Sequence, residues 1–328
     1  MGKQTRPDSV RHAESLSGAA PVSNTISPLE AATKPSTSLL SCVLLVTFCL
    51  VAAGAYRASV SLVPQGILED GFLVFLAALL LAIALLARRS QTLRIYWEIP
   101  FAFFVFTVAG FAGDLNVSPL QRAFVTNVLH QTPTSNNPLA STVLGTVLVQ
   151  LFSTLCMVAL IIGLTRASGS DLQAIFIAKM RHPWTLVVGI VAFLAFFALA
   201  ARGRTAAFFP THNVVTFSHF LALTPALVIL VLCNGLREEL WFRGLFLKKY
   251  EGFLGPLAAN VLAAVIFTAF HVQVQYALNL LPFLGYSLIL GLVAGYLMQK
   301  SGSVLASVIF HAGSDIPIFL VYLSYASR

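Results

Sequence analysis

Runs of about 18 to 22 apolar residues recur along the chain, each long enough to cross a hydrocarbon core of about 30 Å as a helix. That recurrence dictates an all-α, polytopic transmembrane bundle. Strands of a membrane barrel would alternate over about 10 residues, and Phe72 to Ala87 does not alternate, so a barrel is excluded. The chain is 58% hydrophobic and only 10% charged, against about 25% charged in soluble domains. A soluble globular fold is excluded as well.

Nine segments fit as spans, at about 38–55, 72–87, 99–113, 139–164, 184–201, 217–247, 256–272, 279–298 and 303–324. The third, with Glu98, Pro100 and Asp114 at its ends, is the least secure, which leaves eight as the alternative count. The sixth exceeds what a membrane needs and must tilt or project. Residues 1–36, rich in Ser, Thr, Ala and Pro, form a polar tail expected to be disordered. The tail is too long and too polar for a signal peptide, so the first span reads as a retained anchor. Residues 37–205 then hold the N-terminal transmembrane helices, and 217–325 a separate C-terminal core.

With the N-terminus in the cytosol, fifteen of the 20 Lys and Arg fall on the inner side. Five (Arg57, Arg122, Arg202, Arg204 and Arg328) fall outside. Topology thus accounts for the net charge of +8, and no nucleic-acid partner is implied. The membrane would be the plasma membrane of a bacterium or the endoplasmic reticulum of a eukaryote. The four cysteines, Cys42, Cys49, Cys156 and Cys233, lie in apolar stretches without paired spacing and read as packing residues.

Three polar motifs interrupt the apolar C-terminal spans. A charge near the bilayer centre costs roughly 2.5–3.5 kcal/mol even on the lenient insertion scale, so such groups persist only if paired or functional. Glu239 and Arg243 stand at i and i+4 and suit an ion pair on one helix face. Glu238 has Trp241 and Phe242 at those offsets and needs another partner, water or a proton. Asn234, one turn earlier, could orient the Glu238 carboxylate or bond a neighbouring helix. Arg237 could pair with Glu238 or snorkel to the interface. Phe267 and His271 form a second motif, and His311 with Asp315 a third. Counting helix rise from Lys248, Pro256 and Ser303 puts Glu238 about 15 Å deep, His271 about 22 Å, His311 about 12 Å and Asp315 about 18 Å. Three helices therefore place polar motifs in one middle layer.

A free carboxylate with two histidines and a further acid suits water activation for amide hydrolysis, with Glu238 as base and His271 holding the water. His311 and Asp315 would stabilise the oxyanion, Asp315 either protonated or orienting His311. The rival reading is a zinc centre with Glu238, His271 and His311 as ligands and a water in the open position, although the H-E-x-x-H signature is absent. A serine nucleophile is less attractive, because Ser314 lacks a G-x-S-x-G context.

The motifs Glu238-Glu239-x-x-x-Arg243, Phe267-x-x-x-His271 and His311-x-x-x-Asp315 resemble those of the CPBP (ABI) family of intramembrane CAAX-type and bacteriocin-processing endopeptidases. The resemblance covers about residues 217–325. It implies a peptidase cutting near the C-terminus of a membrane-associated peptide or protein, prenylated or not. It implies Glu238 as water activator, His271 as its partner, and His311 with Asp315 as the oxyanion site, where family members often carry Asn in place of Asp315. Zinc-dependent and glutamate-type mechanisms both stay open, as do two other readings of the same polar layer: a non-catalytic scaffold or immunity factor, and a proton-coupled transporter.

Overall fold

A computed structural model describes residues 38–64, 66–114, 118–132, 140–206, 208–211, 215–274 and 277–326, and the polar tail expected at 1–36 lies outside them. The described residues form eleven α-helices and no strand: α1 (Leu39–Leu62), α2 (Ile67–Arg89), α3 (Glu98–Gly113), α4 (Pro119–Ala123), α5 (Val143–Ala167), α6 (Trp184–Ala201), α7 (Phe217–Glu238), α8 (Leu247–Leu254), α9 (Pro256–Ala269), α10 (Leu280–Ser301) and α11 (Leu305–Ala326). A π-helical turn, Glu239–Gly244, joins α7 towards α8. The protein is an integral, multi-pass membrane protein.

Among the described residues eight helical stretches are long and apolar enough to cross a membrane, not nine. The expected weak point was the third span, yet Arg94–Gly113 qualifies and the seventh does not. Helix α9 has only 14 residues, about 21 Å of rise. Pro256 starts it, and Phe270 to Gln273 turn away after it. The sixth stretch runs from Phe217 to Leu254 as expected for an overlong segment.

Helix starts follow local side-chain chemistry. Ser38, Thr142 and Thr216 accept hydrogen bonds from the amides of Ser41, Gly145 and His219 at the starts of α1, α5 and α7. Within the bundle, α11 packs against α6, α7 and α10 and is the most buried of the spans. Small residues permit this closeness. A Cβ on Gly235 of α7 would stand 3.0 Å from the Val308 carbonyl, and one on Gly189 of α6 would stand 2.8 Å from the Ala306 carbonyl. Towards the other side, the Trp241 indole stacks on Phe106 at 4.3 Å and donates Nε1–H to the Phe106 carbonyl at 2.8 Å, clamping α3 to the π turn.

Because the Gly189 contact is with backbone, a larger residue there must push α6 away from α11. Gly189→Val is expected to lower stability by about 1–3 kcal/mol, read as a reduced thermal midpoint of the purified protein in detergent; an unchanged midpoint would contradict the packing described.

Candidate active site

The α7–α11 crossing at Gly235 is close enough for polar side chains of the two helices to meet. Asn234, Glu238 and Glu239 come from α7 and the π turn, and Ser307, His311 and Asp315 line one face of α11 at successive turns. The π turn is visible in the Leu245 amide, which bonds the Leu240 carbonyl five residues back at 3.0 Å. Such widened turns recur at functional sites and reset the helix register downstream.

Glu239 is fully buried, and both its oxygens accept hydrogen bonds. One oxygen accepts from Arg243 Nη1 and from His311 Nδ1 at 2.7 Å, and the other accepts from Ser307 Oγ. The expected i,i+4 ion pair is therefore present, and it reaches further than itself. Arg243 also donates Nε–H to the Gly291 carbonyl of α10 at 3.3 Å and lies over the Phe267 ring of α9 at 4.4 Å. Since a carboxylate paired to a guanidinium only accepts, the His311 Nδ1 carries the proton of that bond.

The other nitrogen of His311, Nε2, lies 3.6 Å from Glu238 Oε2 and 3.6 Å from Asp315 Oδ1. Glu238 finds a partner that i+3 and i+4 spacing could not supply: its sequence neighbour Arg237, with Nη2 at 3.3 Å. Arg237 does not snorkel. It is buried and also donates to Asn234 Oδ1 at 2.6 Å and Ser153 Oγ at 3.2 Å. Asn234 in turn donates to Asp315 Oδ2 at 2.8 Å and accepts from Gln150 Nε2 at 3.4 Å, so it bonds across helices. Three carboxylates (Glu238, Glu239, Asp315) thus face two guanidiniums, and a single added proton on His311 brings the cluster to zero net charge.

His271 follows the end of α9 instead of lying within it. Its Nδ1 bonds the Phe267 carbonyl at 2.8 Å, an oxygen that only accepts, which leaves Nε2 free to accept or bind elsewhere. The Phe267 ring sits between the histidines, 4.5 Å from His271 and edge-on to His311 at 5.6 Å. Glu238 and His271 interact electrostatically.

Exposure separates these groups. The side chain of Glu239 is 0% exposed, His311 2%, Asp315 6% and Glu238 15%. His271 is half-buried. Glu238 and His271 are therefore the members with side-chain surface left uncovered by the protein.

In the rival reading Glu238, His271 and His311 are the residues that would hold zinc. Among the described residues no group of three or more His, Cys, Asp or Glu side chains converges to hold a metal ion. His311 bonds Glu239 through Nδ1 and turns Nε2 towards Glu238 at 3.6 Å, the orientation that a histidine ligand backed by a carboxylate also takes. Gln150, Ser153 and Ser307 were not among the expected site residues. Ser307 stands one turn before His311 and was readable from that spacing, whereas nothing in the sequence brings the α5 residues to α7.

Residues 220–316 match the family model described as type II CAAX prenyl endopeptidase, Rce1-like. The matched segment is under a third of the chain, includes Asn234, Glu238, Glu239, Arg243, Phe267, His271, His311 and Asp315, and agrees with the CPBP resemblance read from the motifs. No curated protein and no solved structure matches the chain. With the spans on either side, the match supports an intramembrane endopeptidase.

The two neighbouring glutamates should behave differently when neutralised. Glu239→Gln leaves Arg243 buried without its counter-charge, and a loss of about 3–5 kcal/mol is expected. Glu238→Gln should cost less, about 1–3 kcal/mol, because Arg237 keeps Asn234 and Ser153 as acceptors. Thermal unfolding of both variants in detergent checks the contrast, and equal losses would refute it.

Proposed function

We propose that this protein hydrolyses a peptide bond near the C-terminus of a membrane-associated peptide or protein substrate, prenylated or not, using water activated by Glu238. The observation that carries the reading is the contrast in exposure: of three carboxylates gathered on His311, Glu238 keeps the most side-chain surface uncovered by the protein.

In the proposed reaction, a water between Glu238 and His271 gives its proton to the Glu238 carboxylate as its oxygen attacks the scissile carbonyl carbon. His271 Nε2, the free ring nitrogen, accepts the water's other hydrogen and orients it. The carbonyl π bond breaks to an oxyanion, and a protonated His311 presents Nε2–H to that charge. Asp315 acts here as an orienting anion for His311. Its Oδ2 accepts from Asn234, which fixes the carboxyl group beside His311. Collapse of the tetrahedral intermediate breaks the C–N bond, and the proton held by Glu238 passes to the leaving amine.

Arg237 and Asn234 would position this machinery, Arg237 by holding Glu238 and Asn234 by holding Asp315. No step runs through a metal. The excess of Lys and Arg on one set of loops supports a cytosolic N-terminus.

The test is cleavage of a panel of C-terminal peptides, prenylated and unmodified, by the purified full chain. Glu238→Gln is expected to lower the rate by about 10²–10⁴-fold while the protein stays folded, and a zinc chelator should leave wild-type turnover intact. Turnover retained by Glu238→Gln would overturn the assignment. Loss on chelation restored by zinc would replace it with the metal mechanism.

A further inference from the structure

Outside the polar cluster, a continuous groove runs along the seam between α1 and α9. Val46, Leu50, Gly54 and Arg57 mark its floor on α1, at the three- and four-residue spacings of one helix face. Val261 and Val265 of α9 form the facing wall, and Leu50 and Val265 are shared by its two halves. From Val46 to Arg57 the groove extends about 16 Å along α1, which is close to half of a hydrocarbon core of about 30 Å.

One end of this apolar channel is polar, and its polar atoms lack partners. Arg57 Nε and Ser61 Oγ are both buried and make no hydrogen bond. Both residues line the half of the groove that encloses about 340 Å³, together with Gln273. Arg57 feels Asp114 through space, yet the Tyr56 hydroxyl donates to that carboxylate at 3.4 Å. Among the described residues no carboxylate comes within ion-pair distance of the Arg57 guanidinium. Leaving buried donors unpaired costs about 1–3 kcal/mol each, and Arg57 adds a positive charge, so the end of the groove suits an anion once these side chains turn towards it. Arg57 also lies only five residues from the end of α1, about 7.5 Å, the depth at which headgroups meet acyl chains.

We propose that the α1–α9 groove is a binding site for a phospholipid with an anionic headgroup, one acyl chain lying along Val46 to Gly54 and the phosphate accepting from Arg57 and Ser61. The occupied groove also reaches Phe270 and Val272, the residues on either side of His271. A bound lipid would therefore buttress the turn that carries His271. This site stands whether or not the chain is a peptidase.

A Cβ on Gly54 meets nothing within 4 Å, so Gly54→Phe can fill the channel without displacing α1. The experiment is native mass spectrometry of the full chain in mild detergent, titrated with phosphatidylglycerol or phosphatidylcholine of identical chains. Wild type should retain phosphatidylglycerol with about fivefold preference. Arg57→Gln should abolish the preference, Arg57→Lys should keep it, and Gly54→Phe should lose the retained lipid of either class. Leu85→Phe, on an exposed face of α2, should match wild type. No headgroup preference in wild type, a preference surviving Arg57→Gln, or full retention by Gly54→Phe would each overturn the site and leave annular lipid only. Thermal midpoints of the variants verify that each is folded.

Discussion

The C-terminal core hangs on one buried carboxylate. Glu239 binds Arg243 within its own helical segment and Ser307 and His311 on α11. Through Arg243 it also reaches the backbone of α10 and the aromatic face of Phe267 on α9. Four helices therefore share one ion pair. Burying such a pair is not a cheap way to gain stability, since desolvation offsets most of the Coulombic attraction. What it supplies is discrimination: any slip of α11 against α7 strips Glu239 of two partners and leaves Arg243 charged in an apolar interior. The close glycine crossings at Gly235 and Gly189 bring the backbones together, and the ion pair selects the register in which they stop.

That arrangement explains how two adjacent glutamates can carry different tasks. They are rotated by about 100° on the helix, so one points into the four-helix junction and the other towards the edge. Glu239 uses its acceptor capacity on fixed donors and holds His311 by Nδ1. Glu238 is held more loosely, by Arg237 at 3.3 Å and by the outward nitrogen of His311 at 3.6 Å. A base needs an accessible lone pair and a scaffold needs none. The difference in exposure is the physical form of that division.

The sequence made the bundle and the polar layer legible because both obey short-range rules. Apolar run length fixes spans, and charges inside such runs stand out against their cost. The i,i+4 spacing exposed Glu239 with Arg243 and His311 with Asp315, and both pairs meet in space. Sequence does not decide whether Arg237 meets Glu238, since adjacent residues on a helix diverge unless other groups bend them together. The cross-helix partners Gln150 and Ser153 were invisible, because periodicity reports which face of a helix is apolar and not which neighbour it meets. The π turn was equally hidden. Its cause is tertiary, and the composition of Glu239–Gly244 would suit an ordinary α-helix.

The seventh apolar segment shows how a missed boundary can matter more than a found one. Its 14 helical residues fall short of the roughly 20 that a spanning helix uses. Beyond Ala269 the backbone turns, with the His271 amide bonded to the Thr268 carbonyl at 2.9 Å. Irregular backbone within a membrane is tolerated only where protein or a water-filled cavity lines it. An early stop in α9 leaves His271 on a turn, against the Phe267 ring that also meets His311. The groove ending at Arg57 follows α9 along its length and continues past that stop to Phe270 and Gln273. The turn after the shortened helix thus carries the histidine and, through Phe270 and Val272, lines the end of the groove next to it.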